Sequence, residues 1–208
     1  MVRFMLAIAM TVTSAALGLA SCQARQPTAQ EQADLCDIFE DRRSWYRSAA
    51  EAERAWGAPI ALQMAIMQGE SSFDADARPP RGRMFFGLLP GARPSSAYGY
   101  AQAVDGTWDL YKRASGNGGA ERDDFDDAVD FIAWYASETQ RQTGARFSEA
   151  SAHYLAYHEG WTGYRRGTYL NKAWLRDKAA RVGATAARYD RQLDQCEGRL
   201  RRNWIPFF

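Results

Sequence analysis

Glu70 closes the segment IALQMAIMQGESSF, in which an almost unbroken apolar run ends on a carboxylic acid. An acid at the edge of a hydrophobic core is disfavoured as an anion and can keep its proton near neutral pH. Protonating the leaving oxygen of a glycosidic bond asks for such a group. The same position suits a carboxylate that caps a neighbouring helix or pairs with an arginine, so this segment alone leaves both readings open. The other candidates mainly exclude chemistries. His153 and His158, the only histidines, stand five apart, and no second histidine completes a zinc-helix spacing beside Glu159. There is no glycine-rich phosphate loop and no G-x-S-x-G nucleophile elbow. Tyr154, Tyr157, Trp161, Tyr164, Tyr169 and Trp174 crowd one stretch. Flat apolar sugar faces stack on such rings, although each ring also suits a core or a groove wall. Arg165 and Arg166 beside them would meet carboxylates or simply be solvated.

These residues need a scaffold, and the pattern that supplies it is helical. Apolar side chains at Leu35, Ile38, Phe39, Trp45, Ala49, Ala52 and Trp56 form one stripe, predicting a helix from Gln32 to Trp56. Gly57-Ala58-Pro59 breaks it, and Pro59 opens a buried, central helix over Ile60–Met67. Asp74–Ala97 is rich in Pro and Gly and reads as a loop. Phe85, Phe86, Leu88 and Leu89 would fold it back as a wall or lid of a groove, with Arg78, Arg81, Arg83 and Arg93 facing the ligand. Helices are predicted over Val104–Ala114, after the caps Asp123-Asp124, from Ser148-Glu149 to Tyr157, and from Trp174 through Leu193. The result is a mainly α domain from Asp34 to Cys196, followed by a basic and aromatic tail over residues 197–208.

The 208 residues carry 26 Lys+Arg against 25 Asp+Glu, a net charge of +1. That balance excludes a nucleic-acid binder working through a general basic field. Hydrophobic residues at 46% and charged residues at 25% exclude a largely disordered chain. Residues 1–21 read as a signal peptide: Arg3, an apolar stretch, then small residues before Cys22. Leu19-Ala20-Ser21-Cys22 resembles the lipobox of bacterial lipoproteins, which implies a lipid anchor on Cys22. Residues 22–33 then form a lipidated N-terminus and tether. Gln23, in place of the Asp that marks inner-membrane retention, favours the outer membrane over the inner. In an oxidising periplasm the remaining pair, Cys36 and Cys196, is expected to be bridged rather than left as two buried thiols. Closing so long a loop stabilises by roughly 4 kcal/mol or more in the chain-entropy account.

Three segments together resemble the SLT-type lytic transglycosylases, relatives of goose-type lysozyme. Glu70-Ser71-Ser72-Phe73 matches the ES-x-F motif. Gly99-Tyr100-Ala101-Gln102, with Trp108 after it, matches the Gly-hydrophobic-x-Gln run. Ala156-Tyr157-His158-Glu159-Gly160 partly matches Ala-Tyr-Asn-Ala-Gly, with His-Glu in place of Asn-Ala. The resemblance implies a lysozyme-like helical domain with an active-site groove, and a monomer that cleaves peptidoglycan strands without cofactor or metal. It implies Glu70 as acid and then base, Ser71 bonding the glutamate or the substrate, and Gln102 contacting sugar. It also implies that the Tyr157 hydroxyl orients Glu70. Trp161 and Tyr164 follow the third motif through a turn and are added as sugar contacts. Two rival readings remain. One is a goose-type hydrolase recruiting Glu159 or Asp105 to position water; the other is a non-catalytic peptidoglycan-binding lipoprotein.

Overall fold

The computed structural model describes residues 25–84 and 89–202. Among these residues it is a mainly α domain of seven α-helices: α1 (Leu35–Asp41), α2 (Arg43–Trp56), α3 (Ile60–Ser71), α4 (Asp105–Ser115), α5 (Phe125–Thr143), α6 (Ala150–Arg165) and α7 (Ala173–Arg202). No helix among the described residues is long and apolar enough to cross a membrane. The signal segment and Cys22 lie outside the described residues.

Helix α3 is the hub because every side chain from Ile60 to Met67 is buried. It packs against α2, α5 and α7. The polar exception, Gln63, donates its amide nitrogen to the carbonyls of Ala49 and Ala58, while its buried amide oxygen has no partner among the described residues. Asp124 caps α5 by accepting from the backbone N–H groups of Asp126 and Asp127, as the sequence predicts. Gly57 ends α2 in the left-handed region, with φ 77°. The Cys36–Cys196 disulfide joins α1 to α7 across a separation of 160 residues.

Several boundaries differ from the sequence reading, and α3 itself runs past Met67 to Ser71. The stripe from Gln32 to Trp56 is two helices, broken at Arg42 (φ −127°, ψ 68°). The buried Arg42 guanidinium turns to the carbonyl of Arg25, so a tertiary contact interrupts a pattern that local periodicity continues. Helix α6 runs past Tyr157 to Arg165 through a kink at Gly160. Helix α7 runs on to Arg202, because Leu200 repeats the apolar position of Cys196 one turn later and is buried. Residues 197–202 are therefore helix rather than tail. Finally, the loop after α3 contains a short antiparallel hairpin pairing Arg83 with Pro90 and Met84 with Leu89. The apolar side chains expected to fold that loop back lie outside the described part of the structure.

Residues 25–33, read from sequence as tether, are docked on the domain. Pro27 is buried. The side-chain amides of Gln26 and Gln32 both donate to the carbonyl of Ser72, at 3.0 and 3.2 Å. The N-terminal segment thus braces the turn that follows α3.

Candidate active site

Helix α3 ends at Ser71, and the next two residues, Ser72 and Phe73, have φ of 54° and 61°. Left-handed backbone costs energy at non-glycine residues and persists only where the surroundings enforce it. Here the enforcement is aromatic. Phe73 is fully buried against Trp45, which stacks on Phe125 with ring centroids 4.0 Å apart. Tyr100 meets Trp45 and Phe125 edge-on at 5.8 and 5.7 Å. One cluster therefore fixes the turn after Glu70 and the loop carrying Gln102.

That loop, Tyr98–Ala103, is closed by a backbone bridge between its two ends. Gly99 has φ 75°, and a Cβ on it would lie 1.9 Å from the carbonyl oxygen of Arg122; only glycine fits. Gln102 is a third left-handed residue, with φ 49°. Its amide nitrogen donates to the carbonyls of Ala77 and Gly99, at 2.8 and 2.9 Å. Both amide hydrogens thus close the loop. The base of the long loop is knitted here too: Arg78 lies over the Tyr98 ring and Arg93 donates to the carbonyl of Pro79. These two arginines, expected to face a ligand, close the loop instead.

The Ser71 hydroxyl donates to the carbonyl of Tyr100 at 2.7 Å. From the other side, the Tyr157 hydroxyl donates to the carbonyl of Ala101 at 2.6 Å. Consecutive carbonyls of the second motif thus accept one bond from the first motif and one from the third. This corrects the expectation for Tyr157, whose proton goes to backbone and not to Glu70.

Tyr154, one turn earlier on the same face of α6, is the residue that faces the glutamate. Burial pushes its hydroxyl well above the ordinary tyrosine range, and the charge of Glu70 and a hydrogen bond with it push it further. Burial and then the Glu70 charge do the same to Tyr157. Glu70 Oε1 and the Tyr154 hydroxyl are both buried without a close hydrogen-bond partner among the described residues, and the tyrosine lies near enough to the carboxylate for the two to interact. A carboxylate oxygen that is shielded and not tied to a cation is one that proton-transfer chemistry can use. The sequence places Tyr154 only among the rings that suit sugar stacking or a core, not beside the acid. Its signal was the three-residue spacing to Tyr157, legible only once both were known to lie on one helix face.

The last two predicted sugar contacts lie beyond the kink. Gly160 has φ 70° and ψ 160°, which is glycine backbone, and it redirects the final turn of α6. Trp161 stacks on Tyr135 at 4.8 Å and donates its indole N–H to the Thr139 hydroxyl. Tyr164 stacks on Tyr169 at 5.4 Å. Both rings are half-buried in contacts of their own. Arg165 is turned to the carbonyl of Gln142 and the hydroxyl of Thr162.

The extra carboxylates of the rival hydrolase reading are both committed. The Glu159 side chain is only 4% exposed and accepts from Lys172 Nζ at 2.7 Å, from His158 Nδ1 at 3.0 Å and from the Thr168 hydroxyl. Burial would raise its titration. The bonds from Lys172, Thr168 and His158, with the Lys172 charge, outweigh burial and hold it at about 2. It neither faces solvent nor stands free beside a cleft. Asp105 is exposed and pairs with Arg122 at 2.8 Å.

The sequence model of one family, described as the transglycosylase SLT domain, matches residues 10–196 of the chain. No curated protein matches it.

Proposed function

Since the chain belongs to the family of SLT-domain transglycosylases, we propose that it cleaves the β-1,4 bond between N-acetylmuramic acid and N-acetylglucosamine in peptidoglycan, leaving 1,6-anhydro-muramoyl ends. The observation that carries this reading is the shielded Oε1 of Glu70, facing Tyr154 at the junction of the three motifs and tied to no cation among the described residues. Glu70 gives its proton to the glycosidic oxygen, the C1–O bond breaks, and N-acetylglucosamine leaves with a new hydroxyl. The acetamido oxygen of the muramoyl residue bonds to C1 in its place. Glu70, now a carboxylate, takes the proton of the C6 hydroxyl. That oxygen bonds to C1 and displaces the acetamido oxygen. Glu70 ends protonated, no water is consumed, and no second carboxylate or cofactor is required.

The commitment of Glu159 to Lys172 and of Asp105 to Arg122 favours this route over hydrolysis. The same reading puts the enzyme in the periplasm, at the outer membrane, held by lipid on Cys22 within reach of its polymer. Mass spectrometry of the products from purified peptidoglycan tests the reaction. Anhydro-muramoyl ends, one water lighter than reducing ends, are expected; reducing ends would assign a hydrolase, and intact strands a binding protein.

A further inference from the structure

Helices α6 and α7 run antiparallel in a fixed register. Gly183 lies against Ser151, so close that a Cβ would be 2.3 Å from the serine hydroxyl. Lys178 Nζ lies 5.4 Å from the centre of the Tyr154 ring. Trp174 meets His158 edge-on at 5.1 Å. Going back along α7 from Gly183 therefore means going forward along α6, past the tyrosine that faces Glu70 and out to the surface.

Trp174, Lys178 and Arg181 are spaced i, i+4, i+7 and so share one face of α7. Val182, next to that face, would be 2.7 Å from a Cβ on Gly69, the residue before Glu70. Arg181 is near enough for its charge to act on the Tyr154 hydroxyl. The stripe thus borders the candidate site. Trp174 is 55% exposed, a large ring left in water. Among the described residues, neither Lys178 nor Arg181 forms an ion pair, although Asp177 stands one turn before Arg181. The Lys172–Glu159 bond holds the start of α7 against α6, so the stripe is fixed in place.

We propose that Trp174, Lys178 and Arg181 form a subsite for the acidic peptide stem carried by the glycan strand, so that the enzyme distinguishes stem-bearing from stem-free substrate. Lys178 and Arg181 pair with stem carboxylates, and the exposed indole covers the aliphatic part of the stem. The proposal rests on the peptidoglycan reading above and adds to it which part of the polymer is read.

The test is a binding ratio measured in the full protein carrying Glu70→Gln. That background removes cleavage and also any effect of the two cations on the glutamate. Dissociation constants are compared for stem-bearing and stem-free glycan fragments of equal length. The parent is expected to bind the stem-bearing fragment about fivefold tighter, as two partly exposed charge pairs allow, and less so at high salt. Adding Lys178→Gln with Arg181→Gln brings the ratio to about one, whereas Lys178→Arg with Arg181→Lys keeps most of it. A parent without preference, or a ratio unmoved by the glutamine pair, overturns the subsite. Product analysis on the native enzyme is separate: absence of anhydro ends overturns the reaction and not this ratio.

Discussion

The Tyr157 hydroxyl donates to the carbonyl of Ala101 over 2.6 Å, tying helix α6 to the loop that carries Gln102. With the 2.7 Å bond from Ser71 to the carbonyl of Tyr100, it makes the second motif the keystone of the site. Its backbone is gripped from both sides, and Glu70 and Tyr154 face each other beside it, shielded from solvent at Oε1 and the hydroxyl. The hydroxyls around the glutamate thus divide their work: two fix backbone, and one faces the acid.

Replacing Glu70 with Gln keeps the shape and removes the transferable proton. Turnover on purified peptidoglycan should fall about a thousandfold or more. Glycan affinity and melting temperature should stay close to the parent's. Appreciable release of fragments by the purified variant would show that another group is the acid.

The Gly99→Ala variant tests the loop. The substitution places a Cβ 1.9 Å from the Arg122 carbonyl oxygen at a residue with φ 75°. A cost of about 3 kcal/mol is expected, lowering the melting temperature by about 8 °C in a domain of this size. Gly118→Ala is the control, since nothing lies within 4 Å of its added methyl. Equal melting temperatures for the two variants would contradict the geometry.

Cys36→Ser should lower the melting temperature by about 10 °C, because the bridge closes a 160-residue separation. Peptide mapping without reductant should recover one linked pair. Two alkylatable thiols in protein from an oxidising compartment would count against the bridge.

Glu159 gives a pH signature. Its folded-state titration, held at about 2, lies below the usual carboxylate range. The folded state therefore binds fewer protons there than the unfolded chain between those values. The contribution is full at neutral pH and fades as pH falls through the window. Glu159→Gln should cost about 2 kcal/mol at pH 7, with the difference shrinking below about pH 4.5 and gone near pH 2. Denaturation curves of both proteins across that range measure it; a pH-independent difference would mean that packing, not charge, is lost.

The sequence by itself determined the helical class, the centrality of α3, the Asp124 cap and the location of the three motifs. Each is written in local signals: an all-apolar run, a capping residue before a helix, short spacings. It also singled out Glu70, because an acid ending an apolar helix is anomalous without reference to anything distant. What it could not determine depends on partners far along the chain. Tyr157 and Tyr154 have the same side chain and the same face, and only the approach of Ala101 to one of them assigns their tasks. The division of the first stripe into α1 and α2 turns on the Arg42–Arg25 contact, and the fate of Glu159 on Lys172 arriving from the next element. Hydrogen bonds and ion pairs act over a few ångströms, so whether a polar group is spent or free is decided by tertiary proximity, which periodicity does not encode.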